Sequence, residues 1–316
     1  MNRKFARNVQ LTGAILLVWA FLQDVLLTLS TMTFVRDEQG KWQVLLQAEK
    51  IAPIWSLLAL LFVLLGLLVF IGGYAIKTRI TKPQKAGRSR LTLRDLSLSF
   101  GWVGLMFYGG VFLYYFAVAD LIPDWFRTSP GASALGGVSM QVAAMLVIPL
   151  YFRKSSHEVG LQRPVISWKM IGYVLMFFIF VYAMSLATTT LSEWVGIDTN
   201  SYREKNISQE LNDAKALGML MAMLPLLATA VIAPIGEELL FRGVLQSVLT
   251  ARWGVYTGVF GSALAFSLIH ADPVLFLPIF LMGVLFSVLY RITGSLWAPI
   301  WLHAVNNFIA SLNDLL

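Results

Sequence analysis

Gly236-Glu237-Glu238-Leu239-Leu240-Phe241-Arg242-Gly243 places two adjacent carboxylates and a guanidinium at the end of an apolar run that begins near Leu217. The chain otherwise tends to keep charge out of its hydrophobic segments. Ionisable groups at membrane depth are costly, so their presence there points to function.

The surrounding composition says which depth is meant. The 316 residues are 58% hydrophobic and 13% charged, with a mean hydropathy of +0.72, which is the balance of a polytopic membrane protein rather than of a soluble domain. Cysteine is absent, which excludes a thiolate nucleophile, a disulfide scaffold and a Cys-ligated metal. The net charge of +7 resides in short connections between apolar runs, where topology and anionic lipid account for it; no nucleic-acid partner is expected.

Outward from the quoted stretch, nine apolar runs predict an all-α bundle of eight or nine transmembrane helices. Arg3, Lys4 and Arg7 precede the first, about 9–32, which is too long for a signal peptide, contains Gln23 and Asp24, and reads as a retained helix. After a mixed-charge loop, 36–50, a second run covers about 51–76. The basic connection that follows, with Lys77, Arg79, Lys82, Lys85, Arg88, Arg90 and Arg94, is the strongest cytoplasmic signal and predicts a cytoplasmic N-terminus. Runs at about 96–119, 132–152 and 168–191 complete an N-terminal region, 1–195, of about five helices. The third is rich in aromatic residues of interfacial type, a polar external turn, 120–131, precedes the fourth, and Arg153, Lys154 and Arg163 mark the cytoplasm again. A polar external loop with one short amphipathic helix is expected over 196–216.

The segment 217–316 differs in character. Its runs, about 217–235, 255–269, 274–290 and 296–312, hold nearly all the polar groups at membrane depth. Prolines at 225, 234, 278 and 299 predict kinked or broken helices around a cavity. Gly254, Gly258, Gly261 and Ser262 offer a small-residue face for close helix contact. Strict alternation of spans would leave Glu237 and His270 at opposite surfaces. A break or a deep helix start at Pro234 and Gly236 is the expected way to set Glu237 deeper.

On a helix Glu238 and Arg242 share a face in the favourable acid-before-base order, while Glu237 is turned about 100° away. Glu238 thus reads as neutralised structure and Glu237 as free to take a proton; the alternative is one structural ion network of all three. Of three histidines, His157 lies in a basic loop, whereas His270 and His303 lie within or beside apolar runs downstream of the glutamates. Phe266 sits one turn before His270, and Asn307 one turn after His303, with Asn306 beside it. In a metal-free hydrolase Glu237 would deprotonate a water held jointly with His270. His303 and Asn307 would then stabilise the oxyanion. No cofactor is expected; zinc on Glu237, His270 and His303 is the alternative, against which stand the missing His-Glu-x-x-His and the spread of ligands over three helices.

The order Glu237-Glu238-x-x-x-Arg242, Phe266-x-x-x-His270, His303-x-x-x-Asn307 resembles the three-motif pattern of the CPBP family. This family comprises the type II CAAX prenyl proteases and the bacteriocin-processing or immunity proteins also called Abi proteins. The resemblance covers about 217–312. It implies an intramembrane glutamate endopeptidase, often labelled a metalloprotease, with Glu237 as base, His270 as its partner on the water, and His303 with Asn307 as oxyanion hole. It gives Glu238, Arg242 and Phe266 supporting places. The expected substrate is a membrane-associated protein or peptide, and membrane lipid surrounds the protein in a bacterial plasma membrane. The competing class is a non-catalytic scaffold or immunity protein that binds a cell-envelope partner through the N-terminal spans.

Overall fold

The computed structural model describes residues 3–47, 51–80, 91–162, 167–199 and 201–315. Lys82, Lys85, Arg88 and Arg90 of the basic connection, Lys50, and Arg163 lie outside them. The fold is all-α apart from one hairpin, and each of the nine apolar runs is helical. Among the described residues six helices are long and apolar enough to cross a membrane, or seven if one bent pair is a single span.

Two long helices, α1 (Arg3–Ser30) and α2 (Pro53–Ile80), pair closely at one flank. Glycines permit the approach: a Cβ on Gly13 would stand 2.3 Å from the Phe70 backbone, and one on Gly73 2.3 Å from that of Gln10. The mixed-charge loop between them forms a two-stranded antiparallel hairpin, β1 (Met32–Arg36) and β2 (Trp42–Leu46). Asp37 closes its turn by accepting from the amides of Gln39 and Lys41, ahead of Gly40 at φ +79°. Helix α3 (Leu93–Leu113) starts in a capping box of Thr92 and Asp95. It packs on α1 and on the later helix Ser139–Tyr151, joining the outer pair to the rest.

The turn over 120–131 contains a single helical turn, α4 (Asp124–Arg127), and the start of α5 (Pro130–Gly137). The latter bends by 42° into α6 (Ser139–Tyr151). Helix α7 (Trp168–Trp194) follows as one unbroken helix, and the polar segment after it is mostly a 15-residue helix, α8 (Tyr202–Ala216).

The largest departure from expectation concerns the quoted stretch. Pro234 and Gly236 do not break the chain: α9 (Met219–Leu227), α10 (Ala233–Glu238) and α11 (Ser247–Trp253) form one 35-residue rod, joined by π-helical turns at Ala228–Ile232 and Leu239–Gln246. The wider turns absorb the irregularity that proline imposes, a device common at functional sites. Pro278 and Pro299 fall in the first turns of α13 (Phe276–Thr293) and α14 (Trp297–Leu315), where a missing N–H costs nothing. The glutamates therefore sit in mid-rod rather than at a helix end. Glu237 lies 18 residues after Met219 and 16 before Trp253, about 27 and 24 Å by helical rise.

Gly254, at φ +91°, turns the rod back into α12 (Val255–Leu268). Glu237 is 17 residues before this turn and His270 is 16 after it. An antiparallel hairpin with nearly equal arms brings the two to one depth, which removes the conflict posed by strict alternation. The main core of the fold joins Val103, Ala144 and Ile148 of α3 and α6 to Leu239, Leu240, Phe266 and Ile300. It crosses the division drawn between the N-terminal region and the segment 217–316.

Gly236 marks a tight contact in this core, since a Cβ there would lie 2.4 Å from Gln141 Cβ and 2.6 Å from Gln141 Cα. Gly236→Ala should lower stability by about 1–3 kcal/mol through overpacking. Gly172→Ala, where a Cβ meets nothing within 4 Å, should be neutral or better. Unfolding temperatures in detergent would compare the two.

Candidate active site

The rod presents its two glutamates to different surroundings. Glu238 is wholly buried, and one of its oxygens, Oε1, accepts from Arg242 Nη1 at 3.0 Å and from His303 Nδ1 at 3.0 Å. Arg242, also without exposure, donates through Nη2 to the Gly283 carbonyl at 3.1 Å. Its guanidinium carbon lies 4.3 Å from the ring centre of Phe266 and 5.2 Å from that of Phe286. Two aromatic faces thus cover the cation. This network ties the rod to α13 and α14.

Glu237, one position back, faces a cavity of about 660 Å³. Phe266, His270, His303, Asn306 and Asn307 line the same space, so the motif residues of three helices share one chamber at mid-depth. Glu237 Oε2 lies 3.8 Å from His303 Nε2, and its Oε1 accepts from Gln141 Nε2 at 3.1 Å. His270 Nδ1 bonds the Phe266 carbonyl at 2.6 Å; a carbonyl only accepts, so Nδ1 carries the proton and Nε2 has the lone pair. The Phe266 ring meets His270 edge-on at 4.7 Å and His303 at 5.9 Å, fixing both imidazoles.

The donors expected of His303 and Asn307 are partly engaged. Nδ1 of His303 serves Glu238, and Asn307 Nδ2 donates to the Thr229 carbonyl at 3.0 Å, leaving one amide hydrogen. Asn306 donates to Asn307 Oδ1 at 3.4 Å. Nδ1 of His270 and Nδ1 of His303 are both in use, and among the described residues no group of three or more His, Asp or Glu side chains is placed to hold a metal ion. His157 is remote from the chamber, in a 3-10 turn beside Glu158.

The remaining walls come from parts of the chain where the sequence raised no candidate. Ser185, Thr188 and Ser192 of α7 face the cavity, as does Arg203 of α8. Ser201 caps α8 and bonds Asp272, whose other oxygen accepts from the amides of Val274 and Leu275 ahead of α13. Between His270 and Asp272, Ala271 sits at φ +48°, the sole non-glycine with positive φ among the described residues. A strained residue beside a candidate site residue is where such geometry is expected to collect. Burial and the Asp272 carboxylate push the Tyr202 hydroxyl above the usual phenol range. Gln141 was also overlooked; its signal was an amide inside an apolar run.

Fold and chamber define a polytopic helical membrane protein with an acid, two imidazoles and an amide enclosed among its spans. Residues 219–309 match the family described as type II CAAX prenyl endopeptidase, Rce1-like. That match covers under a third of the chain and agrees with the motif order read there in the sequence. The chain is 24% identical over 180 residues to the protein of Bacillus subtilis (strain 168) named "putative membrane peptidase YdiL", a match covering 56% of this chain and 70% of that one. It is 33% identical over 86 residues to an uncharacterized 24.3 kDa protein of Escherichia coli, 26% and 40% of the two chains. No solved structure matches it.

Removing one member of the buried network leaves the other charge uncompensated. Glu238→Ala and Arg242→Ala should each cost about 3–5 kcal/mol. Ala271→Gly should stabilise by about 1 kcal/mol by relieving the left-handed conformation. Both effects are measurable as shifts in unfolding temperature in one detergent.

Proposed function

We propose that the protein is a membrane protease in which Glu237 activates water against a peptide carbonyl of a membrane-associated protein or peptide. The observation that carries this reading is the segregation of the two glutamates. Glu238 is locked with Arg242 and His303, whereas Glu237 opens on the chamber that His270, His303 and Asn307 share.

In the proposed reaction a water donates one hydrogen to Glu237 Oε2 and the other to the lone pair of His270 Nε2. The proton passes to Glu237 as oxygen attacks the carbonyl carbon. The tetrahedral oxyanion takes the free amide hydrogen of Asn307 and, with His303 protonated, its Nε2–H, while Nδ1 remains on Glu238. The C–N bond then breaks and the proton held by Glu237 goes to the leaving amine. No step calls for a metal. The basic residues after α2 and the bacterial relatives support a plasma membrane location with the N-terminus in the cytoplasm.

Purified protein in proteoliposomes, offered a library of membrane-inserted peptides, should cleave a subset of them. Glu237→Gln and His270→Ala should each lower kcat by about 10²- to 10⁴-fold, the range for losing a general base or its partner. Unchanged cleavage in both variants would refute the mechanism.

A further inference from the structure

We propose that Gln141 is a positioning residue for Glu237, holding one carboxylate oxygen so that the other takes the proton from water. The inference rests on the proposed reaction and reaches beyond it, because Gln141 belongs to α6, outside the three motifs and outside the matched segment 219–309.

A carboxylate has two equivalent oxygens and a soft terminal torsion, so an unrestrained glutamate offers its base in many directions. Here the two oxygens are made different. Oε1 accepts from Gln141 Nε2 at 3.1 Å, and Oε2 faces His303 Nε2 at 3.8 Å. A neutral donor on Oε1 fixes the torsion and occupies that oxygen without adding a charge that would neutralise the base. Lysine would pair with the carboxylate, and leucine would leave it loose.

The backbone is built to make this contact. Gly236 admits α6 so closely that its missing Cβ would collide with Gln141 Cβ and Cα. The amide's own carbonyl oxygen, Oε1, is buried with no hydrogen-bond partner among the described residues. Its donor end, on Glu237, is therefore the amide's one side-chain hydrogen bond among the described residues.

That asymmetry separates a positioning role from a structural one. Gln141→Leu removes a buried polar group with an unmet acceptor from an apolar helix, so its unfolding temperature should equal or exceed that of the wild type. Its kcat should nevertheless fall by about 10- to 100-fold with little change in KM, because the base loses its orientation and the substrate contacts stay. Gln141→Asn, which keeps the amide one methylene short, should fall between. The experiment measures kcat, KM and unfolding temperature for wild type, Gln141→Leu, Gln141→Asn and Glu237→Gln on one cleaved peptide. A Gln141→Leu enzyme with wild-type kcat, beside an inactive Glu237→Gln, would overturn the role of Gln141 alone. So would a loss of kcat that only follows a loss of folded protein. Full activity in Glu237→Gln would overturn the reaction and this inference with it.

Discussion

The ion pair of Glu238 and Arg242, closed by His303, is the constraint on which the C-terminal bundle depends. Among lipid tails apolar packing gives helices little reason to prefer one register over another, since the surroundings are as apolar as the interface. A buried charge has no such freedom. Arg242 finds a carboxylate on its own helix, a carbonyl at Gly283 and two aromatic faces from α12 and α13, while His303 brings in α14. Sliding any of these helices by one residue would leave a charge or a donor unmatched in low dielectric. The network therefore sets the relative depths of four elements, and the chamber beside it inherits that accuracy.

Much of this was readable in the sequence, for identifiable reasons. Apolar runs longer than a bilayer is thick leave little alternative to helix, and the i, i+4 spacing of Glu238 and Arg242 gave their pairing. The predicted break at Pro234 was misread because proline's effect depends on what can absorb it. Two π turns did so here, and they have no sequence signature of their own. The shared depth of Glu237 and His270 could have been read from their nearly equal separations from Gly254. Counting spans by strict alternation, which assumes that each span crosses fully, concealed it. Gln141 escaped because its partner lies 96 positions away and a lone amide in an apolar run is a weak local mark.

The division of the chain into N-terminal spans and a catalytic third also looks different once packed. Residues of α6 form part of the core and residues of α7 part of the cavity wall, and α8 lies at the cavity's rim, held at one end by Ser201 on Asp272 and at the other by Lys215 on the Leu315 carbonyl. The motifs supply the groups proposed to react, but the enclosure around them is assembled from both regions.

The hairpin at Gly254 carries a consequence for how such a chain can diverge. Its arms act as a matched pair of rulers: a single inserted residue in α11 or α12 would carry His270 or Glu237 about 1.5 Å along and about 100° around its helix. Side chains in these arms can be exchanged one at a time, but their length cannot. Insertions and deletions should therefore be confined to the connections outside the arms, and a change within one arm should survive only with a compensating change in the other. Divergent relatives should thus preserve the distances from the turn to the acid and to the imidazole more faithfully than they preserve the residues between.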